Sequence, residues 1–452
     1  MNQRTRKRAP RRKQTPDFPI RIEKLSHEGR GLVRWGERAL FVDGALPDEL
    51  VTVRVINKTS QTAEGIAKEI LVPSEQRSRP ECSYAEVCGG CSLQHIPYET
   101  QLAHKMKTLE ELIMREGISL AKVVRLPTLR GPTIGYRRRA RLGVRRVHAK
   151  DRVLVGFRER GSNFIADIDG CTVLDQRIGQ SLGQLETTIA SLSRPDRIPQ
   201  VEVVAGDDTL AIVLRHLDPL TDADLRALQR LGHQTGWHVY LQPKGPDTIN
   251  RLWPSDGYER LTYRIGEFGL EYQFTVTDFT QINAVINRSM IIQAMDLLEL
   301  QGTERVLDLF CGLGNFTLAA ASRCASVVGV EVSDTMVERV LQNARHNSLN
   351  NVSAVAFDLT KSITEQPFAQ DSWDTLIVDP PRSGAKEVLE ELPLKNIARV
   401  LYVSCNPATL ARDVKILSGR GFLMTHLGIM DMFPHTAHVE SMALFLKRGA
   451  SG

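Results

Sequence analysis

Residues 19–72 alternate short apolar runs with turn residues. Ile20-Arg21-Ile22, Ala39-Leu40-Phe41-Val42 and Leu50-Val51-Thr52-Val53-Arg54-Val55 are separated by Gly29-Arg30-Gly31, Gly44 and Pro47, the pattern of strands joined by tight turns. In the third run a two-residue period puts Val51, Val53 and Val55 on one face and Thr52 and Arg54 on the other. About five strands in so short a stretch predict a small barrel, an architecture whose loops often hold nucleic acid. Residues 73–80, with Pro73, Arg77, Arg79 and Pro80, read as a linker. The period then changes: Leu102, Met106, Leu109, Leu112 and Ile113 recur three and four apart, which predicts a helix over 98–116. Residues 136–270 carry mixed strands and turns.

From residue 271 the pattern alternates again, now between buried runs and helical segments. Strands are predicted at 305–309, 327–332, 352–355, 375–379 and 400–405, with helices at 315–323 and 333–348. Strand and helix in alternation is the signature of a doubly wound parallel sheet.

Composition changes the picture at one end. The 452 residues carry a net charge of +5, but residues 1–13 hold seven basic side chains and no acid, leaving 51 basic against 53 acidic after them. Such a block cannot bury apolar surface and is expected to be a disordered arm that meets phosphates. No apolar h-region follows it, so it is not read as a signal peptide. No apolar run approaches the roughly 18 residues that span a bilayer. Seven cysteines in this length do not make a disulfide scaffold. A soluble protein of the reducing cytoplasm is expected, with no membrane partner.

The candidate chemistry lies at strand ends. Asp308-Leu309-Phe310-Cys311-Gly312-Leu313-Gly314-Asn315 is a glycine-rich turn after a strand, where backbone can approach a ligand closely. The next strand ends in Glu331, 19 residues past Gly312, placed to accept both ribose hydroxyls of a nucleoside cofactor. Thr317 stands where a nicotinamide fingerprint expects a small residue, which favours S-adenosyl-L-methionine. Asp358 and Asp379 follow two further strands, and Asp358 is expected to face the adenine. Cys405 follows the strand at 400–405. A lone cysteine is more often a small buried hydrophobe; beside a cofactor loop on one sheet it becomes a nucleophile candidate.

Cys82, Cys88 and Cys91, with Cys171 after 80 residues, supply four thiolates. By count these suit tetrahedral zinc or an iron–sulfur cluster equally. Gly89-Gly90 between two of them lets the backbone wrap closely. His435-x-x-His438 lacks the H-E-x-x-H frame of a zinc site. Arg137, Arg138, Arg139 and Arg141, with Arg145 and Arg146, form a second basic stretch, expected to face phosphate.

Several segments together resemble one family. Asp278-Phe279-Thr280-Gln281-Ile282-Asn283, Asp379-Pro380-Pro381-Arg382, the ten residues from Ser404 to Asp413 and the eleven from Met432 to Met442 are similar to the RNA uracil-C5 methyltransferases, nearest to those acting on 23S rRNA. Residues 29–49 resemble a TRAM domain. The resemblance implies an α/β Rossmann-like methyltransferase domain with an N-terminal TRAM (OB-like) β-barrel and a central iron–sulfur domain. The expected division is an arm at 1–18, the barrel at 19–74, a central domain at 75–270 and the methyltransferase domain at 271–452.

It also implies roles. Cys405 is the nucleophile and Glu440 the base; Gln281 and Asp379 contact the cofactor or target uracil; Phe310, Asn315, Glu331 and Asp358 line the methyl-donor pocket. Cys82, Cys88, Cys91 and Cys171 hold a [4Fe-4S] cluster with a structural or RNA-positioning role. The expected reaction is S-adenosyl-L-methionine-dependent methylation at C5 of uridine 1939 in 23S rRNA by a monomer. Residue chemistry agrees, because thiolate addition at C6 makes C5 nucleophilic and a base must then remove the C5 proton. Rival readings are another 23S rRNA uridine, a tRNA uridine, or a non-catalytic RNA-binding assembly protein.

Overall fold

The alternation in residues 50–55 is realised in a computed structural model, which describes residues 15–257 and 260–449. Val51 and Val53 are buried, while Arg54 faces out and pairs with Asp17 at 2.8 Å. The six-stranded sheet runs Phe18–Arg21, Leu50–Lys58, Thr62–Val72, Arg38–Asp43, Gly31–Trp35, Lys24–Leu25. It wraps its own core of Ile22, Val33, Leu40, Val42, Val51 and Val53. The basic block at 1–13 lies outside the described residues.

A second six-stranded sheet runs Asn250–Trp253, His238–Gln242, Leu210–Arg215, Gln200–Ala205, Arg139–Val147, Arg152–Gly156. Helices Leu182–Ala190 and Asp222–Thr235 supply Leu185, Ile189, Leu228 and Leu231 to its core. The arginines at 138–146, expected to face phosphate, pair in part with the protein's own acids. Arg138 pairs with Asp207, Arg139 with Glu202 at 3.1 Å and with the Val276 carbonyl at 2.8 Å, and Arg146 with Asp151. Arg139 thereby ties the sheet to the segment at Val276, while Arg141, paired with Glu202 at 3.4 Å, and Arg145 remain exposed.

The last sheet has eight strands in the order Val352–Ala356, Ser326–Glu331, Arg305–Leu309, Thr375–Val378, Arg399–Ser404, Glu440–Lys447, Phe422–Met430, Val124–Arg125. The first five are parallel, and Glu440–Lys447 is antiparallel to both its neighbours. Strand faces alternate between two cores: Val306, Ile377 and Leu401 on one side, Leu307, Leu376 and Tyr402 on the other. Order reverses around Arg305–Leu309, so the loops after Leu309 and Val378 part and leave a crevice at the strand C-termini.

Helix Tyr98–Arg115 matches its predicted span. It packs on helix Pro407–Gly419, and Val124–Arg125 extends the edge of the last sheet. Residues 98–125, expected within the central unit, thus rest on the last one. The helix predicted at 315–323 is shorter, Thr317–Ala321, because Gly312 to Phe316 remain in the turn.

Candidate active site

The strand Arg305–Leu309 ends in a loop with positive φ at Phe310 (62°), Gly312 (56°) and Gly314 (94°). Phe310 holds this geometry at a cost of about 1–2 kcal/mol, a strain often kept where ligands bind. A Cβ on Gly314 would collide with Leu318, whereas nothing lies within 4 Å of one built on Gly312. Gly312 therefore turns its bare backbone to open space. Its N–H donates to Glu331 Oε2 at 3.1 Å, and Val332 N–H donates to Glu331 Oε1 at 2.8 Å. The carboxylate is fixed at the loop's edge with lone pairs left for a diol.

The other expected pocket residues divide. Phe357 N–H donates to the Glu331 carbonyl at 2.8 Å, which brings the start of the Asp358 turn beside Glu331. The Asp358 carboxylate is held by Thr360 Oγ1 at 2.7 Å and by Thr360 N–H, and these bonds lower its pKa. Asn315 is committed inward: its amide exchanges hydrogen bonds with Asn287 at 2.8 and 3.2 Å and accepts from Tyr263 at 2.8 Å. Its part is to fix the loop. Gln281 precedes Asn283, the N-cap of helix Ala284–Leu298, and follows the exposed Phe279 (66% exposed).

Sequence reasoning passed over Asp308. It is fully buried, accepts from Thr317 Oγ1 at 2.6 Å through Oδ2, and has no partner at Oδ1. Burial pushes its carboxyl up to about 7, with Asp379 and Glu331 adding to the shift. A lone acid inside the apolar run Val306-Leu307-Asp308-Leu309 was the available signal.

The two residues expected to react come together where one strand ends and its antiparallel neighbour begins. Ser404 pairs with Ser441 in the register of Arg399–Ser404 and Glu440–Lys447, so Cys405 and Glu440 stand opposite at the next step. Cys405 is half-buried and its thiol is pushed up to about 11, first by burial, then by the negative charge of Glu440 and Asp379; Arg382 opposes them. Glu440 is raised to about 8 by burial and by Asp379, against Arg382 and Lys105. Burial raises Asp379 to about 7, and its N–H reaches back to the Leu309 carbonyl. The turn after Asp379 is tied in by Asn406 Nδ2, which donates to the Arg382 carbonyl at 2.9 Å, while the Asn406 Oδ1 caps helix Pro407–Gly419. Arg382 bonds His438 Nδ1 at 3.0 Å, and His435 turns instead to Gln101. One thiol, two buried carboxyls and a guanidinium thus act on one another electrostatically. This set can add a nucleophile to a ring and return a proton.

Cys82, Cys88, Cys91 and Cys171 line a separate cavity walled by Tyr84, Phe157, Ile168 and Val173. All four thiols are free. Gly90 N–H donates to Cys88 Sγ at 3.4 Å, and the Phe157 ring lies 3.0 Å from where a Gly90 Cβ would sit. Among the described residues, no three His, Cys, Asp or Glu side chains are grouped as a single metal ion requires.

The chain's relatives carry the same outline. A sequence profile of the tRNA (uracil-5-)-methyltransferases matches residues 97–448, and that of the TRAM domain matches residues 16–68. A 23S rRNA (uracil(1939)-C(5))-methyltransferase RlmD of Hahella chejuensis is 48% identical over 443 residues, 97% of this chain and 99% of the relative. Its namesake in Alcanivorax borkumensis is 47% identical over 441 residues, again 97% and 99%. The crystal structure of Pyrococcus abyssi tRNA (uracil-54, C5)-methyltransferase with S-adenosyl-L-homocysteine superposes with a TM-score of 0.71 at 24% identity, covering 95% of this chain and all of that one. That likeness concerns the fold.

Proposed function

The chain belongs to the tRNA (uracil-5-)-methyltransferase family, and from that premise we propose that it methylates C5 of a uridine in 23S rRNA, the one at position 1939. The observation that carries the chemistry is the strand register that sets Cys405 opposite Glu440 beside Asp379. Relatives named for this reaction, aligned over nearly their whole length, support the substrate. A purely RNA-binding protein would have no use for a thiol and a base so paired.

The Cys405 thiolate adds to C6 of the uracil, and the C5=C6 π electrons move toward C5 and O4. Bound S-adenosyl-L-methionine supplies an electrophilic methyl group. C5 takes it, forming a C–C bond as the sulfonium–methyl bond breaks. The Glu440 carboxylate then removes the C5 proton, the C5=C6 bond re-forms, and Cys405 leaves as thiolate. Arg382 supplies the positive charge that a thiolate and an enolate both need. Asp379 and Gln281 are read as contacts to the uracil or the methyl donor. Phe310, Gly312, Glu331 and Asp358 frame the donor pocket, with Asn315 holding the loop behind them.

The four cysteines are read as ligands of a [4Fe-4S] cluster. Their common cavity, its apolar wall and the N–H donated to Cys88 Sγ suit iron–sulfur ligation, and the family resemblance favours iron over zinc. Its service is to hold the Cys82–Cys91 loop. We divide the chain as an arm at 1–18, barrel at 19–74, cysteine-bearing domain at 75–270 and catalytic domain at 271–452, with Phe18 already opening the barrel's first strand and residues 98–125 resting on the catalytic domain, and read it as a cytoplasmic monomer. Among the described residues no helix is long and apolar enough to cross a membrane. RNA carrying 5-fluorouridine tests the mechanism, since fluorine cannot leave C5 as a cation. Wild-type protein should then stay joined to RNA through Cys405, and Cys405→Ala should not; a conjugate formed by Cys405→Ala would refute the assignment.

A further inference from the structure

Glu440 begins its strand at the end of a nine-residue connection, 431–439, that has no regular structure. Met430 pairs with Glu440 across its base, so the aim of the Glu440 side chain depends on what holds this connection. Two side chains of helix Tyr98–Arg115 do so. Gln101 and Lys105 lie one turn apart on the helix, each 2% exposed. Lys105 Nζ donates to Asp431 Oδ1 at 2.6 Å and to the Phe433 carbonyl at 3.1 Å. Gln101 Oε1 accepts from His435 N–H at 3.2 Å, and its Nε2 lies 3.5 Å from His435 Nδ1.

His435 has φ of 63°, a left-handed conformation that a side-chain-bearing residue keeps only when its surroundings hold it. They hold it from both sides. Its carbonyl accepts from Ser92 and Leu93 N–H, each at 2.9 Å, and Gln101 Nε2 donates to the Leu93 and Ile96 carbonyls at 3.1 and 2.8 Å. Tyr136 donates to the Pro434 carbonyl at 3.1 Å. A charged residue and an amide are thus buried on the apolar face of a helix, and the loop that leads into Glu440 is what they serve.

We propose that Gln101 and Lys105 are positioning residues for Glu440, bracing the connection 431–439 so that the carboxylate reaches the C5 proton. The proposal rests on the reading of Glu440 as the base. Its consequence is selective. Adduct formation and methyl transfer depend on Cys405, which sits between another strand and helix; the release step depends most directly on the connection, whose His438 at its far end also meets Arg382. A displacement of about 1 Å at a reacting group can cost on the order of a hundredfold in rate.

The test is single-turnover kinetics on unmodified 23S rRNA fragments with radiolabelled methyl donor, separating conjugate formation from release on denaturing gels. The variants are Gln101→Met, Lys105→Met and the charge-free pair Lys105→Met/Asp431→Leu, with Glu440→Gln alongside. We expect folded variants to form methylated conjugate within about twofold of wild type and to release it about 10- to 100-fold more slowly. Should Lys105→Met alone fail to fold, Gln101→Met and the charge-free pair decide. Unchanged release in these two, or formation and release slowed equally, overturns the brace. If Glu440→Gln releases RNA normally, the base assignment itself fails, an outcome distinct from normal release by the brace variants alone.

Discussion

Replacing Glu440 by Gln should slow one step of the reaction and spare the other. The carboxyl is raised to about 8 because burial and Asp379 penalise its charge. In wild type, then, about a tenth of the base is ionised at pH 7 and about nine tenths at pH 9, and the release step should quicken about tenfold across that interval. The amide of Gln cannot take the C5 proton, and loss of a positioned base costs about 10²–10⁴ in rate. Adduct formation should respond otherwise. Glu440 is the leading charged neighbour of the Cys405 thiol, which burial first of all holds near 11; at pH 7 Glu440 is mostly uncharged, so Gln leaves thiolate availability about as it is there and raises it only toward pH 9, where the carboxylate is ionised. The assay is rapid quench with labelled methyl donor from pH 7 to 9, followed by denaturing gels. Glu440→Gln should accumulate methylated conjugate with flat, slow release and with adduct formation at least as fast as wild type. Release within about tenfold of wild type, or formation lost together with release, would refute the reasoning.

Glu331→Gln should weaken methyl-donor binding about 10- to 100-fold, since a charged acceptor of hydrogen bonds is worth about 1.5–3 kcal/mol; calorimetry with S-adenosyl-L-homocysteine checks this, and unchanged affinity would remove Glu331 from the pocket. Anaerobically purified protein should be brown with about four irons per chain, and Cys88→Ser should bleach it; a colourless, zinc-loaded and fully active protein would end the cluster assignment. Deleting residues 1–13 should lower RNA affinity and flatten the slope of log K against log salt while sparing turnover at saturating RNA; an unchanged slope makes the arm a solubility tail.

The parallel half of the catalytic sheet was legible in the sequence because each of its strands is a short apolar run closed by a turn, and local pattern suffices for that. The same holds for the strand end before Cys405 and the loop from Phe310 to Asn315. Glu440 was found only through resemblance to a family. Its strand is antiparallel, follows an irregular segment holding Phe433, His435 and His438, and gains meaning only from a register with Arg399–Ser404. The ion pairs of the basic stretch at 137–146 were hidden because sequence displays charge without its partners; Glu202 and Asp207 come from distant residues. Lys105 falls between Leu102 and Leu109 on the apolar face of its helix, and a cation placed there is a signal of burial. What it is buried for depends on Asp431, 326 residues away, which no local period reveals.

Uridine methylation in 23S rRNA is the claim on which the rest depends. Unmodified 23S rRNA, incubated with the protein and isotopically labelled S-adenosyl-L-methionine, should acquire one labelled methyl group, recovered as 5-methyluridine and mapped by mass spectrometry of nuclease fragments to position 1939, the site named for the relatives. Label at another position, in another nucleoside, or in tRNA alone would contradict the account.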